Sequence, residues 1–121
     1  MKNFIYLAVS LSLALLSCSE KEPDPVSTDD CANTNYVYAD VVDIIQTNCV
    51  GCHSYGGEAL AAGDFSSYQG LEAALNADQS TFLSQIRWEM SDSELNMPPA
   101  EKMPDEDIQK LECWIASGYP N

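Results

Sequence analysis

The sequence predicts a small all-α domain. Apolar residues recur at helical spacing in four stretches between residues 38 and 115, nothing alternates convincingly, and Gly and Pro clusters punctuate the gaps. Tyr38, Val41, Val42, Ile45 and Cys49 share one face of the first predicted helix, with Asp40 in its first turn. Residues 54–67, with Gly56, Gly57 and Gly63 among scattered Ser and Asp, read as loop. Gln69 to Ala77 is a second, modest helix. Phe82, Ile86 and Met90 recur at i, i+4 and i+8 and mark a third, with Ser80 placed as its N-cap. The prolines of Asn96-Met97-Pro98-Pro99-Ala100 force extended geometry on their neighbours and exclude helix there. Pro104-Asp105-Glu106-Asp107 opens the last helix, whose stripe is Ile108, Leu111, Trp114 and Ile115. Gly118 is its C′ stop and Pro120 lies beyond.

The segment ahead of this domain has a different character. Met1-Lys2-Asn3 carries one positive charge and Phe4 to Leu16 is almost wholly apolar, too short a run to cross a bilayer as a helix. Residues 1–17 therefore read as a removable export signal. Leu15-Leu16-Ser17-Cys18 resembles a bacterial lipobox, which implies a lipidated Cys18 as the new N-terminus and a membrane tether. Residues 18–30 contain two prolines, five acids and one aliphatic residue, the composition of a flexible, charge-extended linker. The folded unit is expected over residues 31–121. A core of that size is marginal by side chains alone, so a staple or a cofactor is expected.

The chain has 5 basic against 19 acidic residues and a formal charge of −14, with no basic patch. Nucleic-acid binding and electrostatic attachment to anionic lipid are excluded on that ground. The charge is dispersed and 45% of residues are apolar, as in an ordinary globular domain. Five cysteines and one histidine carry the remaining information.

Cys49-Val50-Gly51-Cys52-His53 is a C-x-x-C-H run, the attachment sequence of c-type haem. Two thiols at this spacing add to the two vinyl groups of one porphyrin, and the next residue brings an imidazole to the iron. From five Cys and one His, chance assembly of the pattern has an expectation of about 10⁻³. Three other readings compete. A structural zinc site would have to recruit Cys31 and Cys113 singly; a thioredoxin-like motif wants a βαβ context that is absent; the third is a disulfide within the motif.

From about Tyr38 to Asn121 the chain resembles a small monohaem c-type cytochrome, of the kind found as exported lipoproteins or haem modules of larger exported proteins. Ala39-Asp40-Val41-Val42-Asp43-Ile44-Ile45 before the haem motif, Asn96-Met97-Pro98-Pro99 and Asp105-Glu106-Asp107-Ile108 leading to Trp114-Ile115 carry the resemblance. It implies a helical domain wrapped around one covalently bound haem, with Cys49 and Cys52 as thioethers and His53 as iron ligand. It also implies that first and last helices cross beside the haem, with Trp114 at the crossing against the Val42/Ile45 face. Cys31 and Cys113 are not part of the family pattern.

With Cys18 assigned to lipid and Cys49 and Cys52 to haem, Cys31 and Cys113 remain. In an oxidising compartment leftover thiols usually pair. Position 113 points away from the helix stripe, which suits a bond to a segment lying over the outside of the last helix; two independent thiols are the alternative. The single histidine makes bis-histidine ligation within one chain impossible, so a second protein ligand is most simply a methionine thioether. Met90 completes the Phe82/Ile86 stripe. Met103 stands where a hydrophobic staple with Ile108 would occupy it. Met97 has no such structural use, is stiffened by Pro98-Pro99, and is where the family places its Met-Pro-Pro ligand; Met103 is the fallback. Arg87, the only arginine, is read either as a contact to the haem propionates or as a solvated helix-face residue.

The function expected is single-electron transfer on a His/Met-ligated haem, without enzymatic turnover or small-molecule substrate, in the bacterial cell envelope (periplasm or cell surface). An acidic domain favours a redox protein partner with a basic docking patch. Two other readings stand beside it: a haem-based gas sensor with a displaceable distal Met, and an electron-entry subunit of a larger exported oxidoreductase.

Overall fold

Three α-helices carry the fold in the computed structural model, which describes residues 31–121: α1 (Tyr38–Asn48), α2 (Tyr68–Arg87) and α3 (Asp105–Ala116). No strand occurs among the described residues, and none of their helices is long and apolar enough to cross a membrane. The signal segment 1–17, the lipidation of Cys18 and the linker 18–30 lie outside the described residues.

Helix α1 starts where Asp40, in its first turn, accepts the Val37 backbone N–H at 2.9 Å. It buries Val41, Ile44 and Ile45, while Val42 is only half-buried. Val41 and Ile45 of the predicted face are thus buried as expected and Ile44 joins them, whereas Val42, expected with Ile45 against Trp114, stands at the edge of the core.

The second and third predicted helices are joined as α2, with a break at Asp78 (φ −159°, ψ 82°). Ser80 is not the cap. Asp78 Oδ1 accepts the Thr81 backbone N–H at 3.0 Å, the N-cap geometry, and its carboxylate also receives the Ser80 and Thr81 hydroxyls. The Thr81 N–H bond, the largest of these effects, holds the Asp78 carboxyl below its ordinary pKa. A carboxylate two residues earlier can reach the orphan N–H of the new turn, which Ser80, already helical, cannot. Met90 does not extend the Phe82/Ile86 stripe either. Trp88, in left-handed conformation (φ 63°), ends α2, with its N–H on Gln85 O and that of Glu89 on Ser84 O.

Helix α3 follows its predicted stripe. Ile108, Leu111, Trp114 and Ile115 are buried, and Met103 and Ile108 stand at the N′ and N4 staple positions in the same core. Gly118 (φ 91°) is the stop: its N–H reaches Ile115 O and that of Tyr119 reaches Trp114 O. The tail then turns back. Pro120 O accepts both the Trp114 indole N–H at 3.0 Å and the Tyr38 backbone N–H at 2.9 Å. The Tyr68 hydroxyl of α2 lies 3.1 Å from Tyr119 O, so the tail touches all three helices.

Cys31 and Cys113 form a disulfide, S–S 1.97 Å, across 82 residues. Cys113 faces outward from the stripe as expected, yet it is buried, because the Cys31 segment covers it. Closing a loop of this length contributes up to about 4.5 kcal/mol through the unfolded state. Replacing Cys31 and Cys113 together by serine should lower the unfolding free energy by a few kcal/mol in a denaturant titration of the oxidised protein. Labelling of these two positions by a thiol reagent in the oxidised, folded protein would contradict the bridge.

Candidate functional site

The C-x-x-C-H run begins where α1 runs out. Cys49 caps the helix with its N–H on Ile45 O at 2.9 Å, and the chain then curls so that Cys49 O accepts from both Cys52 N–H (3.2 Å) and His53 N–H (2.9 Å). One carbonyl thus sets the spacing of all three motif side chains. The two thiols have no disulfide partner among the described residues and are unlike: Cys49 is half-buried and burial pushes it up to about 11, whereas Cys52 is exposed.

His53 is buried at 8% exposure, although it stands in a loop. The loop returns to it. Phe65 N–H donates to His53 O at 2.7 Å, and the Phe65 ring stacks on the imidazole with centroids 4.3 Å apart and planes 8° from parallel. Phe82 of α2 meets Phe65 edge-on at 6.1 Å. Nδ1 of His53 lies 3.3 Å from Gly63 O, and Nε2 has no protein partner among the described residues. Gly63 is required there: its φ is 145°, and a Cβ would stand 2.6 Å from Phe65 Cε1.

Met97 arrives from a different part of the chain. Its N–H donates to Gln85 O at 3.0 Å, which fixes the residue beside the end of α2, and its side chain is half-buried. His53 and Met97 line one cleft of about 270 Å³, whose other walls include Phe65, Ala74, Phe82 and Ile86. Asp78, Thr81 and Gln85 contribute polar groups along one face of α2. Cys49 and Cys52 do not line the cleft; they stand on the turn that ends in His53.

The remaining candidates are placed elsewhere. Met103 is buried in the core, 4% exposed, at the start of α3. Met90 is half-buried and its N–H donates to Asn96 Oδ1. Arg87 is not a freely solvated helix-face residue: its Nε donates to Glu112 Oε1 of α3, and Glu112 is buried. With Cys31 and Cys113 in a disulfide, those two donors of the zinc reading are gone, and no three His, Cys, Asp or Glu side chains converge on a metal position among the described residues. The all-α fold also lacks the βαβ setting of a thioredoxin-like site.

Sequence reasoning missed Phe65 and Asn96. The only signals were an isolated aromatic in a Gly/Ser/Asp loop and a polar residue directly before the Met-Pro-Pro run. Chemically, the arrangement offers an imidazole nitrogen and a thioether sulfur to one mostly apolar cleft, with two thiols three residues apart on the adjoining turn. Comparison with protein-family models, curated proteins and solved structures finds no match.

In the folded chain with free thiols, iodoacetamide near neutral pH should modify Cys52 much faster than Cys49. Cys49 should gain reactivity only as pH approaches about 11. Because its folded-state value lies above the ordinary 9.0, the unfolded chain ionises first, and this group costs stability as pH rises between those two values. Equal alkylation rates for the two thiols at neutral pH would contradict the placement.

Proposed function

We propose that the chain is a small monohaem c-type cytochrome that carries one electron, exported and tethered through Cys18 in a bacterial cell envelope. The observation that carries this reading is that His53, the last residue of the C-x-x-C-H run, and Met97, from a segment 44 residues later, line the same cleft. Nothing in local sequence requires that meeting. Cys49 and Cys52 would hold the macrocycle as thioethers, and the His53 imidazole and the Met97 thioether would be the iron's protein ligands.

The residues present fit such a group. Gly63 O lies within reach of Nδ1, so this nitrogen, as donor, leaves Nε2 as the free electron pair; a ligating histidine usually donates its other N–H to such a partner. The lining by Phe65, Phe82, Ile86 and alanines suits the flat apolar body of a porphyrin. About 270 Å³ falls just below the roughly 300–1,000 Å³ of ordinary ligand pockets, so the cleft would enclose only part of a macrocycle. Held through His53 and Met97, such a group would supply one-electron exchange, and a thioether ligand raises its potential relative to a second imidazole. The pairing of Arg87 with Glu112 favours a structural use of that guanidinium over a propionate contact.

The partner proposed is a redox protein with a basic docking patch. Residues 31–121 hold 14 acids and 3 bases. Each base is engaged within the fold: Arg87 with Glu112, Lys102 with Asp105, and Lys110 over the Tyr36 ring. The surface offered to a partner is correspondingly anionic.

Met97→Ala should abolish the weak long-wavelength absorption band of a methionine-bound ferric haem and lower the reduction potential. Met103→Ala should leave the band in place while costing roughly 2–5 kcal/mol of stability, as for other buried methionines. The reverse pattern overturns the ligand assignment, and a purified envelope fraction without covalent haem overturns the reading itself. The rate of electron transfer to a cationic redox protein should fall as salt is raised. A rate flat with ionic strength would remove the docking claim.

A further inference from the structure

We infer that Asn96 is a positioning residue: by closing the loop between α2 and the Met-Pro-Pro segment, it holds Met97 in the cleft. This deepens the reading of Met97 as an axial ligand and rests on it.

Residues 91–95 are all exposed, Leu95 among them at 44%, so the loop has no core of its own. Asn96 is different. It is 5% exposed, one of three buried polar residues in the described chain beside His53 and Glu112. Its Oδ1 accepts the Met90 backbone N–H at 3.1 Å, tying the entry of the loop to its exit across six residues. A 3₁₀ turn at Ser93–Leu95, started by Asp92, fills the interval, and the Asn96 N–H donates to Ser93 O.

Both ends of this closed loop are fixed to the end of α2. Glu89 N–H is on Ser84 O and Met97 N–H is on Gln85 O, and Gln85 itself lines the cleft. Among the described residues, the Asn96 side chain is therefore the one side-chain link that joins the entry of the loop to its exit between two backbone anchors. A methionine side chain has three rotors to freeze on binding a metal, and a fixed backbone beneath it lowers that entropic cost. Pro98 and Pro99 stiffen Met97 from one side, and the Asn96 loop closes it from the other.

The test uses the purified haem-loaded protein and two variants, with far-UV circular dichroism to follow the helices. In Asn96→Ala the Met90 N–H loses its acceptor. The long-wavelength band should weaken and vanish on warming before the helices melt, and carbon monoxide should bind the ferrous protein about tenfold faster, the factor that corresponds to one lost hydrogen bond. Asn96→Asp keeps the Oδ1 acceptor and should stay close to the parent in both measures. A full band and unchanged carbon monoxide binding in Asn96→Ala overturns the proposal, as does equal impairment of both variants. In the parent protein the Met90 amide should exchange slowly with solvent, a measurement that holds even where a variant folds poorly; fast exchange also overturns it. A parent protein with covalent haem but no such band would show instead that the ligand reading is at fault.

Discussion

The rest of the molecule depends on a single carbonyl. Pro120 O accepts the indole N–H of Trp114 and the backbone N–H of Tyr38. Trp114 is wholly buried, and a buried donor left without a partner would cost about 1–3 kcal/mol. Only the chain beyond α3 supplies that acceptor, and it returns because Gly118 takes a positive φ. The same oxygen satisfies an orphan N–H at the start of α1, so the tail pins α1 to α3. At its other end α1 stops at Asn48, and Cys49, its C-cap, begins the C-x-x-C-H turn.

That frame is small and strongly acidic, and two devices compensate. The Cys31–Cys113 disulfide closes the chain across the outside of α3 and turns an outward cysteine into a buried one. The Arg87–Glu112 pair joins the end of α2 to the middle of α3. Glu112 Oε2 and Trp88 Nε1 are buried with no partner among the described residues, so polar pairing is incomplete at this end of the helices. Excess negative charge opposes compaction, and drawing each of the three cations of residues 31–121 into an internal contact leaves the outer surface anionic.

The site is assembled from pieces that the frame does not itself contain. None of the cleft residues comes from α1 or α3; the walls are the 53–65 loop, one face of α2 and Met97. Loops are free to carry such chemistry because a rigid scaffold positions them. Here the positioning is done by backbone bonds, Cys49 O gathering the motif and Gln85 O receiving Met97, while the His53–Phe65 stack closes the loop over the imidazole. The proposed haem site is thus walled by α2 and two loops, and not by α1 or α3.

The periodic stripes, the Gly118 stop, the staple of Met103 with Ile108 and the C-x-x-C-H spacing are legible in the residues, because each is set by neighbours within one or two turns. The same local logic failed at Asp78, where competition between two possible caps is decided by which oxygen reaches Thr81 N–H, and at Met90, where a left-handed Trp88 ends the helix early. On α1 it placed Val41 and Ile45 inward but chose Val42 where the core takes Ile44, since tertiary packing chooses among adjacent apolar positions. The Cys31–Cys113 bond and the pairing of His53 with Met97 were expected from elimination and resemblance rather than from any local pattern; what only tertiary structure decided is the burial of a lone loop phenylalanine against His53 and of Asn96 beside Met97. Periodicity records which face of a segment avoids water, and it holds no record of which distant segment covers that face.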